Sequence, residues 1–337
     1  MSSVSSTTFF ADPNQTSIMY TGCLRTASTA IGKRLPDFIV AGVQKGGTTS
    51  VAYALQHLEP LTCFAHVEMH FFDSYQFYNT TVNTADLMIY ATLLQRSCNA
   101  SSTLAVGEKT PNYIYSPHAA LRLCEALDNP RLVLFLRDPM MRAYSSFYNG
   151  QVVSPQVSRS PKGFHLLAQI EVSVIEGCRD SVVPSGDPSI DILQSLRFRK
   201  CCSALVSQNF GFNSWAGCTC VTADDYHCTL YGDKRAAQVR MGIYVWQLRR
   251  LFRYHRASNV LLVRSEDFFT DSEGLLKEVI AWVIPSAANR VHSSHIRIVH
   301  ANSKARGLML NDTAMMLRRF YAPYNVQLEQ LVGRKLW

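Results

Sequence analysis

The sequence predicts an α/β fold in which a parallel β-sheet is flanked by helices. Three apolar runs rich in β-forming residues, at 37–43, 131–136 and 259–267, have the pattern of buried strands. Each run is followed by a stretch of helical composition, as expected when strands and helices alternate around a parallel sheet. Ligands of such sheets bind beyond the carboxyl ends of the strands, so the loops after these runs are candidate sites.

The composition is that of a folded, basic protein. Hydrophobic residues make up 47% of the 337 residues, which is enough for a packed core. Lys and Arg number 33 against 25 Asp and Glu, and this surplus suits an anionic ligand or a polyanionic substrate. Nucleic acid would suit the charge equally well, but the chain has no dense Lys/Arg run and no known nucleic-acid-binding motif, so we expect no nucleic-acid partner.

The segment after the first run, here called the glycine loop (residues 44–50), combines glycines, hydroxyl side chains and a lysine. Glycines let backbone N–H groups converge, and the N-terminus of the helix expected from Val51 adds partial positive charge, which makes an anion cradle. Gly42 and Gly47 have the spacing of a P-loop, but Thr48 stands where that motif has lysine, so the arrangement for a β/γ-phosphate with Mg²⁺ is missing. An ordinary glycine turn is the alternative.

Two further segments carry candidate site residues. Glu68, His70 and Asp73 surround an aromatic pair, and a carboxylate beside a histidine suits the removal of a proton from a hydroxyl. If this segment is extended, Glu68 and His70 share one side, although a half-buried strand with solvated polar residues would look the same. Arg137 follows the second buried strand, with Ser145 two helical turns further on, which makes a second anion site.

Several of these segments resemble one family. Residues 35–50 resemble the 5′-phosphosulfate loop of sulfotransferases that use 3′-phosphoadenosine 5′-phosphosulfate (PAPS), most closely in the branch that sulfates carbohydrates, including glycosaminoglycans. Arg-Asp-Pro-x-x-Arg-Ala-Tyr-Ser at 137–145 is similar to the family's 3′-phosphate motif. Residues 68–72 and 108–113 are similar to its Glu-x-His-Phe-Phe and Glu-Lys-Ser/Thr-Pro-x-Tyr segments, and 304–307 resembles its late Lys-Gly-Arg loop. The resemblance implies a P-loop NTPase-like sulfotransferase fold.

The resemblance also implies roles for individual residues. Glu68 matches the general base, His70 is the alternate base, and Lys45 would stabilise charge on the departing phosphate. Lys109, Asp73 and His70 are expected to contact the acceptor. Residues of the glycine loop, the arginine motif and the late basic turn are expected to bind PAPS without a metal: Lys45, Gly46, Gly47, Thr48, Thr49, Ser50, Arg137, Ser145, Lys304, Ala305, Arg306 and Gly307.

The domain organisation follows from composition and from the extent of the resemblance. Residues 1–34 are rich in Ser and Thr and predict a flexible lead-in or stem, and residues 35–337 are expected to form a single sulfotransferase domain. A cysteine-rich insert at about 150–233 holds six of the ten cysteines. Their spacing does not fit zinc knuckles, so disulfide bracing is preferred, and reduced cysteines that pack in the core are the alternative.

The resemblance implies in-line transfer of a sulfuryl group from PAPS to a carbohydrate hydroxyl, with adenosine 3′,5′-bisphosphate as product. The expected acceptor is an acidic, glycosaminoglycan-like polysaccharide of chondroitin or heparan type. The alternatives are a sulfotransferase for a small-molecule alcohol or amine, a P-loop kinase of nucleosides or sugars, and a catalytically inactive protein that binds a glycan or a bisphosphate.

The cellular location is indicated only indirectly. Ten cysteines and four Asn-x-Ser/Thr sequons favour the Golgi lumen or another part of the secretory pathway, where disulfides persist. No stretch approaches the ~18 apolar residues of a membrane span, so membrane contact would need an anchor that this sequence lacks. A cytoplasmic location is the alternative.

Overall fold

The structure is a computed structural model that describes residues 8–17, 19–23, 32–58, 61–65, 67–73, 82–97, 103–116, 118–149, 158–178, 238–287 and 307–337. Most of the cysteine-rich insert and residues 304–306 of the late basic turn lie outside these ranges. The described strands are β1 Thr8–Phe9, β2 Phe38–Gly42, β3 Thr62–Phe64, β4 Ala105–Lys109, β5 Arg131–Leu136 and β6 Val260–Arg264.

The described helices alternate with the strands along much of the chain, as the sequence predicts. They are α1 Pro13–Ser17, α2 Thr48–Gln56, α3 Thr84–Leu94, α4 Ala119–Ala126, α5 Pro139–Asn149, α6 Pro161–Cys178, α7 Tyr244–Tyr254, α8 Ser265–Thr270, α9 Ser272–Val283 and α10 Asn311–Val332. No helix in this part of the chain is both long enough and apolar enough to cross a membrane.

The chain divides into two compact units, and the first contains the whole described sheet. This unit comprises Met1–Asp138, Val245–Asn302 and Leu328–Trp337. Its strand order is β1-β6-β5-β2-β4-β3, and every pair is parallel except β1 with β6. The predicted parallel sheet flanked by helices is therefore confirmed. The three central strands β2, β5 and β6 are buried along almost their whole length, which explains why they are continuous apolar runs.

One face of the sheet packs against α2 and α9. Alternate residues of β2 and β5, such as Val40 and Phe135, form a buried cluster with Leu55 of α2 and with Leu276 and Ile280 of α9. The two-residue period of a strand directs these alternate side chains to the same face. This packing fixes α2 against the strand that precedes it and therefore fixes the turn between them.

The N-terminal segment predicted as a flexible lead-in makes specific contacts within the first unit. Thr8 and Phe9 pair antiparallel with Val263 and Leu262 at the edge of the sheet. Cys23 is disulfide-bonded to Cys124 of α4. A Ser/Thr-rich composition gives little sign of an edge strand held by partners distant in the sequence. The domain boundaries as a whole stay a prediction.

The second unit comprises Pro139–Tyr244 and Ser303–Gln327, and a buried carboxylate on α6 organises part of it. Both carboxylate oxygens of Glu171 accept hydrogen bonds from backbone N–H groups, at 2.8 Å from Gln238, 2.7 Å from Val239 and 3.3 Å from Arg240. The fully buried Arg142 of α5 donates to the carbonyl oxygen of Gln238. These contacts fix the backbone that leads into α7.

Candidate active site

The glycine loop closes the turn between β2 and α2. Gly46 must be glycine, because a Cβ there would lie 2.4 Å from the carbonyl oxygen of Phe135. Gly47 caps α2 with φ of 107°, a conformation that favours glycine. Lys45, between β2 and these glycines, also has a positive φ of 71°. The two glycines therefore suit this tight turn, whereas Lys45 adopts a left-handed conformation that is uncommon outside glycine.

The helix after the loop begins at Thr48, three residues earlier than the predicted start at Val51. The first N–H groups of a helix lack intrahelical acceptors and carry partial positive charge, so the Thr48 and Thr49 N–H groups suit an anion. The Ser50 N–H instead donates to the Gly47 carbonyl oxygen at 3.0 Å. Thr48 is buried, whereas Thr49 is exposed and Ser50 is half-buried, so a ligand can reach the last two residues.

The arginine of the second motif lies beside the glycine loop. Arg137 follows β5, which pairs with β2, and its Nη1 donates to the Lys45 carbonyl oxygen at 3.0 Å. Its guanidinium carbon also lies 5.3 Å from the ring centroid of Phe269, within cation–π distance. Arg137 therefore contacts the backbone of the turn that carries Lys45, at the carboxyl ends of two paired strands.

Other residues predicted to bind the donor belong to the second unit or are not described. Ser145 lies on α5 in the second unit and is buried. In the same unit, the carbonyl oxygen of Gly307 accepts a hydrogen bond from the Tyr144 hydroxyl. Lys304, Ala305 and Arg306 lie outside the described residues. Their part in binding the donor stays a prediction.

A carboxylate, an imidazole and an ammonium group meet at the end of β4. The Lys109 Nζ lies 2.8 Å from Glu68 Oε1, and the His70 Nε2 lies 3.3 Å from Glu68 Oε2. The other ring nitrogen, His70 Nδ1, lies 3.0 Å from Asp73 Oδ2. Four residues singled out from the sequence are thus brought into one cluster. Lys109 pairs in register with Val40 of β2. The cluster and the glycine loop therefore follow neighbouring strands, at the carboxyl ends of those strands.

The 67–73 segment is irregular rather than an extended strand. His70 has a positive φ of 48°, so simple alternation does not place its side chain. The exposed side-chain fraction is 38% for Glu68 and 33% for His70, but 14% for Lys109 and 0% for Asp73. Glu68 and His70 are therefore open to a ligand. Asp73, expected to contact the acceptor, is instead buried where it orients the imidazole of His70.

The environment of Glu68 favours its ionised form. Burial raises the pKa of Glu68, but hydrogen bonds from His70 and Lys109, together with their charges, outweigh it and lower the pKa to about 2. A carboxylate held this way has little tendency to take up a proton. Its basicity therefore depends on whether Lys109 and His70 stay in contact with it.

Sequence reasoning did not single out the buried carboxylate next to Lys109. Glu108 is fully buried in β4, and it accepts hydrogen bonds from the hydroxyls of Tyr90, Thr110 and Tyr113 at 2.7 to 2.8 Å. Burial raises the pKa of Glu108, and these three hydrogen bonds counteract part of the rise. The signal in the sequence is a carboxylate that directly follows the small and apolar residues Ala105, Val106 and Gly107 of a strand.

The fold and the site together define a class of protein. A glycine turn, two cations and a carboxylate–imidazole pair at the carboxyl edge of a parallel sheet are typical of α/β proteins that bind phosphorylated ligands. The chain matches the sulfotransferase domain over residues 35–283, which is most of its length, and it belongs to the sulfotransferase family.

Individual relatives agree with this assignment. The chain is 34% identical over 147 residues to membrane-associated sulfotransferase kil1 of Dictyostelium discoideum, an alignment that covers 43% of this chain and 30% of that protein. It is 23% identical over 329 residues to heparan sulfate glucosamine 3-O-sulfotransferase 3B1 of Mus musculus, covering 91% of this chain and 66% of the relative. The chain thus spans less than two thirds of the length of both curated relatives.

A solved structure supports the fold. The crystal structure of a sulfotransferase from Alicyclobacillus acidocaldarius matches with a TM-score of 0.52 at 20% identity, covering 90% of this chain and 98% of that one. At this level of identity the likeness concerns the fold. The sulfotransferase fold expected from the sequence is therefore confirmed.

Proposed function

We propose that the protein transfers a sulfuryl group from PAPS to a hydroxyl group of a carbohydrate. The observation that carries this proposal is the position of the Glu68 cluster relative to the glycine loop. Glu68 is held by Lys109, whose strand β4 pairs with β2, and the glycine loop follows β2 directly. A candidate base and a candidate anion cradle therefore lie at one edge of the sheet, as group transfer to a hydroxyl requires.

The residues around the loop have the chemistry needed to hold PAPS. The Thr48 and Thr49 N–H groups and the Thr49 and Ser50 hydroxyls would donate to the 5′-phosphate, with the ammonium group of Lys45 nearby. The guanidinium of Arg137 suits a second phosphate, because its donors match phosphate oxygens in pairs. When bound, PAPS supplies the activated sulfuryl group and a bisphosphate leaving group.

Glu68 is the proposed base that removes the proton of the acceptor hydroxyl. Its low pKa in the present arrangement depends on Lys109 and His70, so any ligand anion that attracts Lys109 would weaken the pair and raise the pKa of Glu68 towards its ordinary value. Glu68 would then become a better acceptor for the hydroxyl proton. His70 stays oriented by Asp73 and can hydrogen-bond the acceptor or replace Glu68 as the base.

An acidic polysaccharide of the glycosaminoglycan type is the proposed acceptor. The formal net charge of +8 suits a polyanion. Two of the relatives that align over most of this chain are, by their names, heparan sulfate glucosamine 3-O-sulfotransferases from mouse and human. Chondroitin and heparan types are the two acceptors to compare first.

A location in the secretory pathway accompanies this proposal. Disulfides such as Cys23–Cys124 persist in oxidising compartments and are rare in the cytosol. Expression with and without a secretory leader, followed by thiol labelling of the purified protein, would test it. Free Cys23 and Cys124 thiols in a folded, active protein would contradict a lumenal location.

Thermal stabilisation by nucleotides tests the donor site. Adenosine 3′,5′-bisphosphate, ATP with Mg²⁺, and AMP are compared, since a ligand at about a hundred times its dissociation constant adds roughly 2.7 kcal/mol to the folded state. Selective stabilisation by the bisphosphate supports the PAPS site, whereas stabilisation by ATP alone would support a kinase.

Turnover tests the reaction itself. Labelled PAPS is incubated with desulfated heparan, chondroitin and small alcohols, and the labelled products are separated. Label on a polysaccharide supports the proposal, and label only on a small alcohol would replace the acceptor class. Bisphosphate binding with no transfer to any acceptor would favour an inactive binding protein.

A further inference from the structure

The buried carboxylate of Glu108 is connected to the 67–73 segment through two hydroxyls. The Thr110 Oγ1 donates to Glu108 and accepts from the Met69 N–H at 3.1 Å. The Tyr113 hydroxyl donates to Glu108 and accepts from the Phe71 N–H at 3.2 Å. We call Glu108, Tyr90, Thr110 and Tyr113 the Glu108 network.

The direction of these hydrogen bonds follows from the carboxylate. A carboxylate only accepts, so each hydroxyl directs its single proton at Glu108 and turns its lone pairs outward. Those lone pairs are what the N–H groups of the 67–73 segment need. A hydroxyl free to rotate would be as ready to donate as to accept, and the irregular backbone at His70 would lose its acceptors. Glu108 thus determines which groups donate and which accept throughout the Glu108 network.

The segment held in this way carries the candidate base. Met69 lies directly between Glu68 and His70 in the chain, and Phe71 follows His70, so the anchored N–H groups flank His70 and one of them directly follows Glu68. Lys109, which pairs with Glu68, is the neighbour of Glu108 in β4. At the end of β4, Glu108 therefore fixes the backbone of the 67–73 segment through its hydroxyl partners, and Lys109 fixes the Glu68 carboxylate.

We propose that Glu108 is a positioning residue for sulfuryl transfer: through Thr110 and Tyr113 it holds the 67–73 backbone so that Glu68 and His70 face the acceptor hydroxyl. The proposal rests on the proposed function, because it assumes that Glu68 is the base. Glu108 itself is fully buried and does not touch the acceptor. Its effect on the reaction is geometric, and small misplacements of reacting groups cost much rate.

Two tyrosines of the network form a matched pair for the test. Both are almost fully buried, and both donate to Glu108 Oε1, Tyr90 at 2.7 Å and Tyr113 at 2.8 Å. Only Tyr113, of these two, accepts an N–H group of the 67–73 segment in the described part of the chain. Tyr90→Phe and Tyr113→Phe therefore each remove one similar hydrogen bond to Glu108, but Tyr113→Phe alone also removes an acceptor for the backbone of Phe71.

Kinetics and amide exchange are measured on both variants. We expect Tyr113→Phe to lower kcat by roughly 10- to 10²-fold, with the dissociation constant of adenosine 3′,5′-bisphosphate unchanged, because the change moves the base and leaves the donor site intact. We expect Tyr90→Phe to change kcat by less than about threefold. Hydrogen exchange of the Phe71 amide should accelerate in Tyr113→Phe and stay slow in Tyr90→Phe.

Equal effects of the two variants on kcat and on the Phe71 amide would overturn the proposal, since a merely structural role predicts equal effects. If the wild-type protein binds the bisphosphate but transfers no sulfuryl group, the proposed function fails, whereas the exchange comparison still tests the anchoring. Unchanged exchange of the Phe71 amide in Tyr113→Phe would then also show that Tyr113 does not anchor the backbone of the 67–73 segment.

Thr110 gives a second, independent test. Thr110→Ser keeps the hydroxyl, whereas Thr110→Val removes the hydroxyl at similar volume. The serine variant should therefore keep a kcat near that of the wild type, and the valine variant should have a lower kcat. If both variants keep wild-type kcat and slow exchange of the Met69 amide, Thr110 does not anchor the segment and the proposal is wrong.

Discussion

The indole of Trp337, the last residue of the chain, donates a hydrogen bond from Nε1 to Glu266 Oε2 at 3.2 Å. The other oxygen of Glu266 accepts from the Asp138 N–H at 2.9 Å. Asp138 follows Arg137, whose guanidinium reaches the Lys45 carbonyl oxygen. The C-terminal side chain is thus two hydrogen bonds away from the arginine expected to bind the bisphosphate.

Glu266→Gln should weaken bisphosphate binding. The two donors approach different carboxylate oxygens, so the NH2 group of the amide would face one of them, and a lost hydrogen bond of about 1 kcal/mol corresponds to roughly a fivefold higher dissociation constant. Calorimetric titration with adenosine 3′,5′-bisphosphate measures the change. Glu273→Gln, an exposed change on α9, is the control, and equal affinity in both variants would contradict the idea.

Glu68→Gln should abolish turnover and leave the donor site intact. The amide cannot accept the hydroxyl proton, and the loss of general-base catalysis typically costs about 10²- to 10⁴-fold. Turnover is measured beside bisphosphate binding, which should not change. Lys45→Ala is the comparison, since it should reduce binding and turnover together. If Glu68→Gln stays active, the base is not Glu68, and His70 is the next candidate.

Lys109→Met should raise the pKa of Glu68. The folded-state pKa of about 2 lies below the ordinary carboxyl value of 4.5, so this group stabilises the protein fully above about pH 4.5, and the stabilisation is lost as the pH falls towards 2. Removing Lys109 removes part of that contribution, so the variant should lose less stability over this range. Urea unfolding across the acidic range and carboxyl NMR titration of Glu68 measure it. Identical titration of Glu68 in both proteins would show that Lys109 is not its partner in solution.

Glu171 should make the protein less stable as the pH rises towards neutrality. Burial raises its pKa to about 7, although three backbone N–H groups oppose the rise. The folded protein then holds more protons than the unfolded chain between about pH 4.5 and 7, so stability falls with rising pH in this window, by roughly 3 kcal/mol at most.

The test compares Glu171→Gln with Glu176→Gln, an exposed change on the same helix. Unfolding free energies across the window should show a flatter pH dependence for Glu171→Gln, even if that variant is less stable overall. An unchanged slope would mean that Glu171 does not titrate in this range.

Removing the Cys23–Cys124 disulfide should destabilise the fold. The bond joins residues 101 positions apart, and a loop of that size is worth up to about 4.7 kcal/mol in the chain-entropy account, with about 2–5 kcal/mol typical for native bonds. Urea unfolding of the Cys23→Ser/Cys124→Ser double variant measures the loss. The double variant is preferred to a reductant because Cys63 is also disulfide-bonded. An unchanged unfolding midpoint would contradict the prediction.

The central sheet could be predicted because its signal is local. Continuous apolar runs are typical of strands buried on both faces, and the run at Arg131–Leu136 predicts β5 with the bounds that the structure has. The composition predicts a start of α2 three residues too late, because Gly47, which caps the helix, resembles the other loop residues in sequence.

The site could be predicted only in part. Motif resemblance identified Glu68, His70 and Lys109, and the structure brings them together, although their roles stay proposals. The Glu108 network could not be predicted, because Tyr90 comes from α3 and its contact with Glu108 depends on tertiary packing. The burial of Asp73 depends on the same packing, and a sequence pattern does not reveal it.

The pairing of Thr8 and Phe9 with β6 has a practical consequence for making the protein. Composition alone would suggest starting a shortened version at residue 35. Such a version would expose the N–H and C=O groups of β6 that now pair with β1. Because β6 is mostly apolar, this uncovered strand could pair with a strand of another molecule and cause aggregation. It would also leave Cys124 without its partner. Insoluble protein from a shortened gene would then reflect an uncovered sheet edge and an unpaired thiol, and it would say nothing against the sulfotransferase fold.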